Sequence, residues 1–171
     1  MRLLVTGAAG FIGSHTCEAL CARGDTVVGL DNFNRFYDPA IKRRNAAGLA
    51  RLDGFSLIEG DILDASCLDA AFAQGPFDGL VHLAAWAGVR PSIADPVGYT
   101  IANVVGTSSI LDACARAANP AAPFPVVVAS SSSVYGNAPA APFSETLDVS
   151  SPISTYAATK KSCELLGHTH W

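Results

Sequence analysis

The chain is 171 residues long, half of them hydrophobic and 15% charged, with a formal net charge of -4 at pH 7. That length is about one domain and can bury a sizeable core. So acidic and charge-poor a chain excludes a general affinity for nucleic acid or for an anionic membrane, and leaves a small molecule as the expected partner.

The first apolar run, "RLLV" at 2–5, predicts a strand. "LLVTGAAGFIGSH" places Gly7, Gly10 and Gly13 directly after it, at the start of a predicted helix over 11–23. In G-x-x-G-x-x-G the first glycine permits a tight turn, the second lets the backbone approach a pyrophosphate, and the third lets helix and strand pack closely. The helix N-terminus adds unpaired N–H groups and the positive end of a dipole. The second run, "TVVGL" at 26–30, is closed by Asp31, 18 residues after Gly13. A carboxylate there accepts hydrogen bonds from an adenosine ribose and repels a 2'-phosphate, so the cofactor expected is NAD rather than NADP.

"DNFNRFYDPAIKRRNAAGLARLDG" reads as a long loop, and its Lys42-Arg43-Arg44 run as a solvated helix or loop face rather than a phosphate site. "FSLI" at 55–58 is a third strand; in the "EGDIL" after it, Asp61 either caps the next helix, over 64–74, or hydrogen-bonds an adenine. A fourth strand, "GLVHLA" at 79–84, precedes a long helix over about 97–118, and "PVVVAS" at 125–130 is the fifth. Its end runs into "ASSSSVYG", whose hydroxyls are expected at the sheet edge that carries the glycine loop. A Pro- and Ser-rich loop, "GNAPAAPFSETLDVSSPIS", then leads to a last helix from about 155. Strands alternating with helices imply an α/β fold with a doubly wound, Rossmann-like parallel sheet.

On the last helix Tyr156 and Lys160 stand at i and i+4, on one face. A phenol with an ordinary pKa of about 10 needs a neighbouring ammonium to act as a general base near neutral pH. The five cysteines, Cys17, Cys21, Cys67, Cys114 and Cys163, are odd in number and lack C-x-x-C spacing. They suggest neither a disulfide framework nor a metal site, and fit a reducing cytoplasm. No apolar run reaches signal-peptide or membrane-spanning length, so the chain reads as soluble and untargeted.

The motifs "VTGAAGFIG", "LDNF", "GDI", "VHLAA", "NVVGT", "SSSSVYG" and "YAATKK" extend over nearly the whole chain. Together they resemble the N-terminal part of the extended short-chain dehydrogenases/reductases, in the nucleotide-sugar epimerase and dehydratase group. "DNFNRFYDP", "AGVRPSIADP" and "YAATKKSCELLGHT" are most similar to the UDP-glucuronate 4-epimerase branch. The resemblance implies NAD as cofactor and Ser131, Tyr156 and Lys160 as catalytic residues, with Tyr156 the base and Lys160 on the nicotinamide ribose. It adds Phe11, Ile12, Asn32, Asp61, Ile62, Leu83, Ala84, Ala85 and Asn103 to the cofactor site, and Arg90, Ser132 and Ser133 to the side of a UDP-sugar substrate. Trp86 departs from relatives, which often carry a smaller polar residue there.

The implied reaction is oxidation and re-reduction at C4 of the sugar. A 4,6-dehydratase is the enzymatic alternative, but dehydratases of this group carry an Asp-Glu pair where Ser132-Ser133 stand. A non-catalytic NAD-binding module is the alternative from another class. The resemblance also implies a homodimer through the helices over about 97–118 and 155–171. Finally, "GHTHW" shows neither a glycine cap nor a following proline. The expectation is a Rossmann domain over 1–171, incomplete at its C-terminal end and without a substrate domain, which binds NAD but does not turn over. Its sheet would have an exposed edge beside "PVVVAS".

Overall fold

The computed structural model describes residues 1–118, 125–138 and 142–170. The chain divides into two compact units, Met1–Ala84 with Asp112–Ala129, and Ala85–Leu111 with Ser130–Trp171.

The first unit is built on a parallel sheet of five strands, β1 (Arg2–Thr6), β2 (Thr26–Asp31), β3 (Phe55–Glu59), β4 (Gly79–His82) and β5 (Val126–Val128), in the order β3-β2-β1-β4-β5. Helices α1 (Phe11–Ala22), α2 (Pro39–Leu49) and α3 (Ala65–Phe72) connect the first four strands. Leu4, Val5, Val27, Val28 and Leu80 are fully or almost fully buried, as expected of parallel strands covered on both faces. The strand order reverses between β1 and its two neighbours β2 and β4, and such a switch point opens a crevice at the carboxyl ends of the strands. All five predicted strands are present, and β5 is an edge strand, as expected of "PVVVAS".

The long loop expected after Asp31 is instead interrupted by α2. Its start is set locally: Asp38 Oδ1 accepts the Ala40 amide at 2.9 Å, and Pro39 takes the first helical position, where its missing N–H costs nothing. Ala46 and Leu49 anchor the helix in the core. Asp64 likewise caps α3, its Oδ1 accepting from the Ser66 amide at 2.9 Å.

In the second unit α4 (Val89–Ala94) and α5 (Pro96–Tyr99) lead into a π-helical segment, Thr100–Val105, which continues as α6 (Gly106–Ala117), a helix whose residues from Asp112 on belong to the first unit. The predicted helix over about 97–118 is therefore present, with a wide π-helical stretch near its start. Such turns are frequent at functional sites, and Asn103 is the buried residue of this one. Helix α4 was not anticipated. A short 3-10 turn, Ser132–Tyr135, precedes α7 (Thr155–Thr169). Ser154 caps α7 by accepting the Ala157 amide at 3.1 Å. The buried face of α7 carries Tyr156, Ala157, Thr159, Lys160 and Cys163, the i, i+3, i+4, i+7 spacing of an amphipathic helix. Trp171, at the end of the predicted last helix, and residues 139–141 of the Pro- and Ser-rich loop lie outside the described residues.

Candidate active site

In the first unit the glycine loop is folded against the ends of β2 and β4. The Gly7 amide donates to Leu30 O at 2.8 Å, and Gly7 has φ +70°. A Cβ there would lie 2.7 Å from the Ala84 nitrogen, so only glycine lets the loop pass so close to the chain leaving β4. A Cβ on Gly13 would overlap the Gly7 carbonyl oxygen, which fixes the third glycine as the helix-to-strand packing position. Leu83 and Ala84 line this crossing: their amides donate to Thr6 O and Thr6 Oγ1, each at 3.2 Å. Thr6 Oγ1 is also 2.6 Å from His82 Nδ1. Phe11 and Ile12, the first residues of α1, are exposed directly after the loop.

Asp31 is buried at the end of β2 and ties the loop in place. Its Oδ2 accepts the Ala9 amide at 3.0 Å, its Oδ1 accepts the Phe33 amide at 2.8 Å, and Lys42 Nζ lies 3.7 Å from Oδ1. The reading of Lys42-Arg43-Arg44 as a solvated face is thus corrected at Lys42. Lys42 is buried, with Nζ 5.1 Å from the Tyr37 ring centroid. Arg43 stacks 3.6 Å over Phe33 and forms a two-pronged pair with Glu59 at 2.6 and 2.5 Å. Arg43 and Arg44 are both exposed and fit the solvated description. Of the two roles left open for Asp61, the structure removes the helix cap. Asp64 caps α3, while Asp61 accepts from Asn32 Nδ2 at 2.9 Å and from the Leu63 amide at 2.9 Å, with Ile62 buried between them in sequence.

The residues present fit a dinucleotide on two grounds of geometry. The glycine loop is a cradle that side chains at Gly7 or Gly13 would obstruct. Beside it, the Tyr37 hydroxyl is buried with no hydrogen-bond partner among the described residues.

In the second unit Tyr156 and Lys160 are both buried on α7, one helical turn apart. Burial holds the Lys160 ammonium below its ordinary value of 10.5, and the neighbouring Cys163 thiol opposes this more weakly. The Tyr156 amide is one of the first-turn donors that a helix leaves without a partner; Ser92, from α4, accepts it at 3.0 Å. The Tyr156 ring meets Tyr99 edge-on at 6.2 Å, and Tyr99 meets Trp86 edge-on at 5.6 Å. The Tyr99 hydroxyl donates to Ala87 O at 2.6 Å, so Trp86 belongs to an aromatic group that braces Tyr156. Ser92 and Tyr99 lie far from α7 in the chain, and no local sequence signal marks them as its supports.

Asn103 is fully buried with its amide committed: Oδ1 accepts the Trp86 amide at 2.7 Å, and Nδ2 donates to Trp86 O and Thr159 Oγ1, each at 3.0 Å. It joins the segment after Ala85 to α7. Ser131 caps the 3-10 turn, with Oγ accepting the Ser133 amide at 3.2 Å. Ser132 and Arg90 are exposed, and Ser133 is half-buried. Among the described residues no group of His, Cys, Asp and Glu could hold a metal ion, and no helix is long and apolar enough to cross a membrane.

Residues 4–171 match the protein family described as GDP-mannose 4,6 dehydratase. Over 169 residues the chain is 49% identical to UDP-glucuronate 4-epimerase 3 of Arabidopsis thaliana, covering 98% of this chain and 38% of the relative. It is 41% identical to a probable UDP-glucuronate 4-epimerase of Rhizobium meliloti, covering 99% of this chain and 49% of that one. Among solved structures, UDP-glucuronic acid 4-epimerase from Bacillus cereus in complex with UDP-glucuronic acid and NAD superimposes with a TM-score of 0.85 at 37% identity, over 99% of this chain and 52% of the other. DesIV, a dTDP-glucose 4,6-dehydratase from Streptomyces venezuelae with NAD and TYD bound, gives 0.86 at 34% identity, over 99% and 51%. The chain thus spans between 38% and 52% of the length of these relatives.

Proposed function

Because the chain belongs to the GDP-mannose 4,6 dehydratase family, we propose that it carries the NAD-binding and proton-transfer residues of a nucleotide-sugar 4-epimerase that interconverts UDP-glucuronate and UDP-galacturonate. The observation that carries this reading is the pair Tyr156 and Lys160, both buried, one turn apart on α7 and braced by Ser92 and Tyr99.

Gly7, Gly10 and Gly13 cradle the diphosphate of NAD, and Asp31 receives the adenosine ribose. Bound NAD supplies a hydride acceptor that can return the hydride to either face of C4. Tyr156 takes the proton of the sugar 4-hydroxyl at its phenolic oxygen and gives it back when C4 is reduced. Lys160, whose charge lies in a poorly solvated place, favours the phenolate form and binds the nicotinamide ribose. Ser131 donates a hydrogen bond to the C4 oxygen, where negative charge develops. Asn103 acts on the cofactor site through the Trp86 segment that it holds. Ser132 and Ser133 offer no carboxyl group to eliminate water, which favours epimerisation over dehydration. Arg90 is suited to an anionic group of the sugar nucleotide.

We also propose a homodimer in the cytoplasm. Ile93, Val97, Ile101 and Val105 recur every fourth residue and are all exposed, as is Leu165 on α7. A stripe of this kind on a soluble chain supports a protein partner, and the free cysteines suit a reducing compartment. Light scattering should give twice the monomer mass, and Val97→Glu with Ile101→Glu should reduce it to one. An unchanged mass in that variant removes these helices from the interface.

The activity is tested by incubating the protein that contains this chain with NAD and UDP-glucuronate and separating the products. UDP-galacturonate should form, and Tyr156→Phe should abolish it while leaving NAD affinity within about twofold, since the glycine loop is intact. Undiminished epimerisation in that variant refutes the role of Tyr156. NAD binding with no conversion by the unaltered protein favours the non-catalytic module.

A further inference from the structure

The segment between β2 and α2 is held by four successive side-chain turns. Asp31 Oδ1 accepts the Phe33 amide, Asn32 Oδ1 the Asn34 amide, Asn34 Oδ1 the Phe36 amide and Asp38 Oδ1 the Ala40 amide, at 2.8 to 2.9 Å. These turns fix the backbone on both sides of Tyr37 and so fix where its ring goes. The ring packs against Lys42, and its hydroxyl oxygen reaches the glycine loop, 3.9 Å from where a Cβ on Gly10 would stand. That oxygen is buried and has no hydrogen-bond partner among the described residues. A buried hydroxyl left unpaired is destabilising, because it gives up its hydrogen bonds to water and gains none in return. Phenylalanine would fill the same space without that cost, so the hydroxyl calls for an explanation outside the fold.

We propose that Tyr37 is a cofactor-binding residue whose hydroxyl donates a hydrogen bond to a phosphate oxygen of the dinucleotide, at the place that the missing side chain of Gly10 keeps open. This rests on the reading that the glycine loop binds NAD. Three features agree with it. A phenol is a donor when protonated, and both burial and the negative charge of Asp31 push the Tyr37 pKa above its ordinary value of 10, so the proton stays on. Lys42 beside the ring adds positive charge where an anionic ligand would sit. Gly10 is the position of the motif at which backbone and pyrophosphate approach. Asp31 faces the region with the opposite charge, which the paired Lys42 offsets in part.

The test compares the unaltered protein with Tyr37→Phe in three measurements: calorimetric titration with NAD, competition of adenosine against NAD, and thermal unfolding without ligand. Tyr37→Phe should bind NAD roughly tenfold more weakly, the size of one hydrogen bond to a charged group. Adenosine, which has no phosphate, should compete with its own affinity changed less than twofold. The unfolding temperature of the free protein should be unchanged or raised, because the lost hydroxyl had no partner to lose. Equal NAD affinity in the two proteins overturns the proposal. So does an equal loss for adenosine, which would move the contact to the ribose or base, or a lowered unfolding temperature, which would make the hydroxyl structural. If the unaltered protein takes no NAD at all, the reading of the glycine loop falls, and this proposal with it.

Discussion

The amide of Ala9, inside the glycine loop, donates to Asp31 Oδ2 at 3.0 Å across 22 residues of sequence. The carboxylate expected to mark the ribose therefore also holds the loop proposed to cradle the phosphates, and it does so while paired with the buried Lys42. Asp31→Ala would leave the Ala9 and Phe33 amides and a buried ammonium without their partner. Breaking a buried pair from one side costs about 3–5 kcal/mol, and urea unfolding should show a loss of that order. Asp31→Asn keeps an acceptor and should lose less. A loss below about 1 kcal/mol for Asp31→Ala would mean that the tether does not hold the loop.

How far the site could be read from the chain depended on how local each cause was. Gly7, Gly10 and Gly13 were legible because a turn, a close approach and a packing contact each demand glycine at a fixed spacing. Tyr156 and Lys160 were legible because a helix brings i and i+4 together. Lys42 was not: its pairing with Asp31 is set by how α2 lies against the sheet, and in sequence it is one of three adjacent cations. Helix α2 itself was signalled by Asp38-Pro39, a cap followed by a first-turn proline, but the polar composition around it read as loop. Nothing local in "NVVGT" indicates that Asn103 lies in a π-helical segment and reaches Trp86 and Thr159.

Two glycine-to-alanine changes should act in opposite directions. In Gly13→Ala the new methyl meets the Gly7 carbonyl oxygen, and overpacking of this kind costs about 1–3 kcal/mol or displaces the loop. Gly167, inside α7, has nothing within 4 Å of its Cβ position, so Gly167→Ala should stabilise by about 0.5–1 kcal/mol through helix propensity. Differential scanning calorimetry of both variants checks the pair. Destabilisation by Gly167→Ala would show that α7 has a neighbour at that position in solution.

Lys160 should make stability depend on pH in one direction. Its folded pKa lies below 10.5 because of burial. Between that folded value and the unfolded one the unfolded chain holds more protons, so stability rises with pH across the window, and the full cost of the buried charge is felt below it. Lys160→Met removes the charge. The variant should be more stable than the unaltered protein at pH 7, and the gap should narrow towards pH 10, as read by urea unfolding at several pH values. A variant that is less stable at pH 7 would mean that the contacts of the ammonium outweigh its desolvation.

The central claim is that Gly7, Gly10, Gly13 and Asp31 form a site for NAD. Lys42 offsets part of the negative charge of Asp31, so discrimination against NADP rests on the carboxylate as an acceptor for ribose hydroxyls as well as on charge. Calorimetric titration of the 171-residue chain with NAD and with NADP measures this directly. The account predicts NAD binding at micromolar affinity or weaker, with NADP at least about tenfold weaker still; equal affinity for the two, or no binding of NAD, would contradict it.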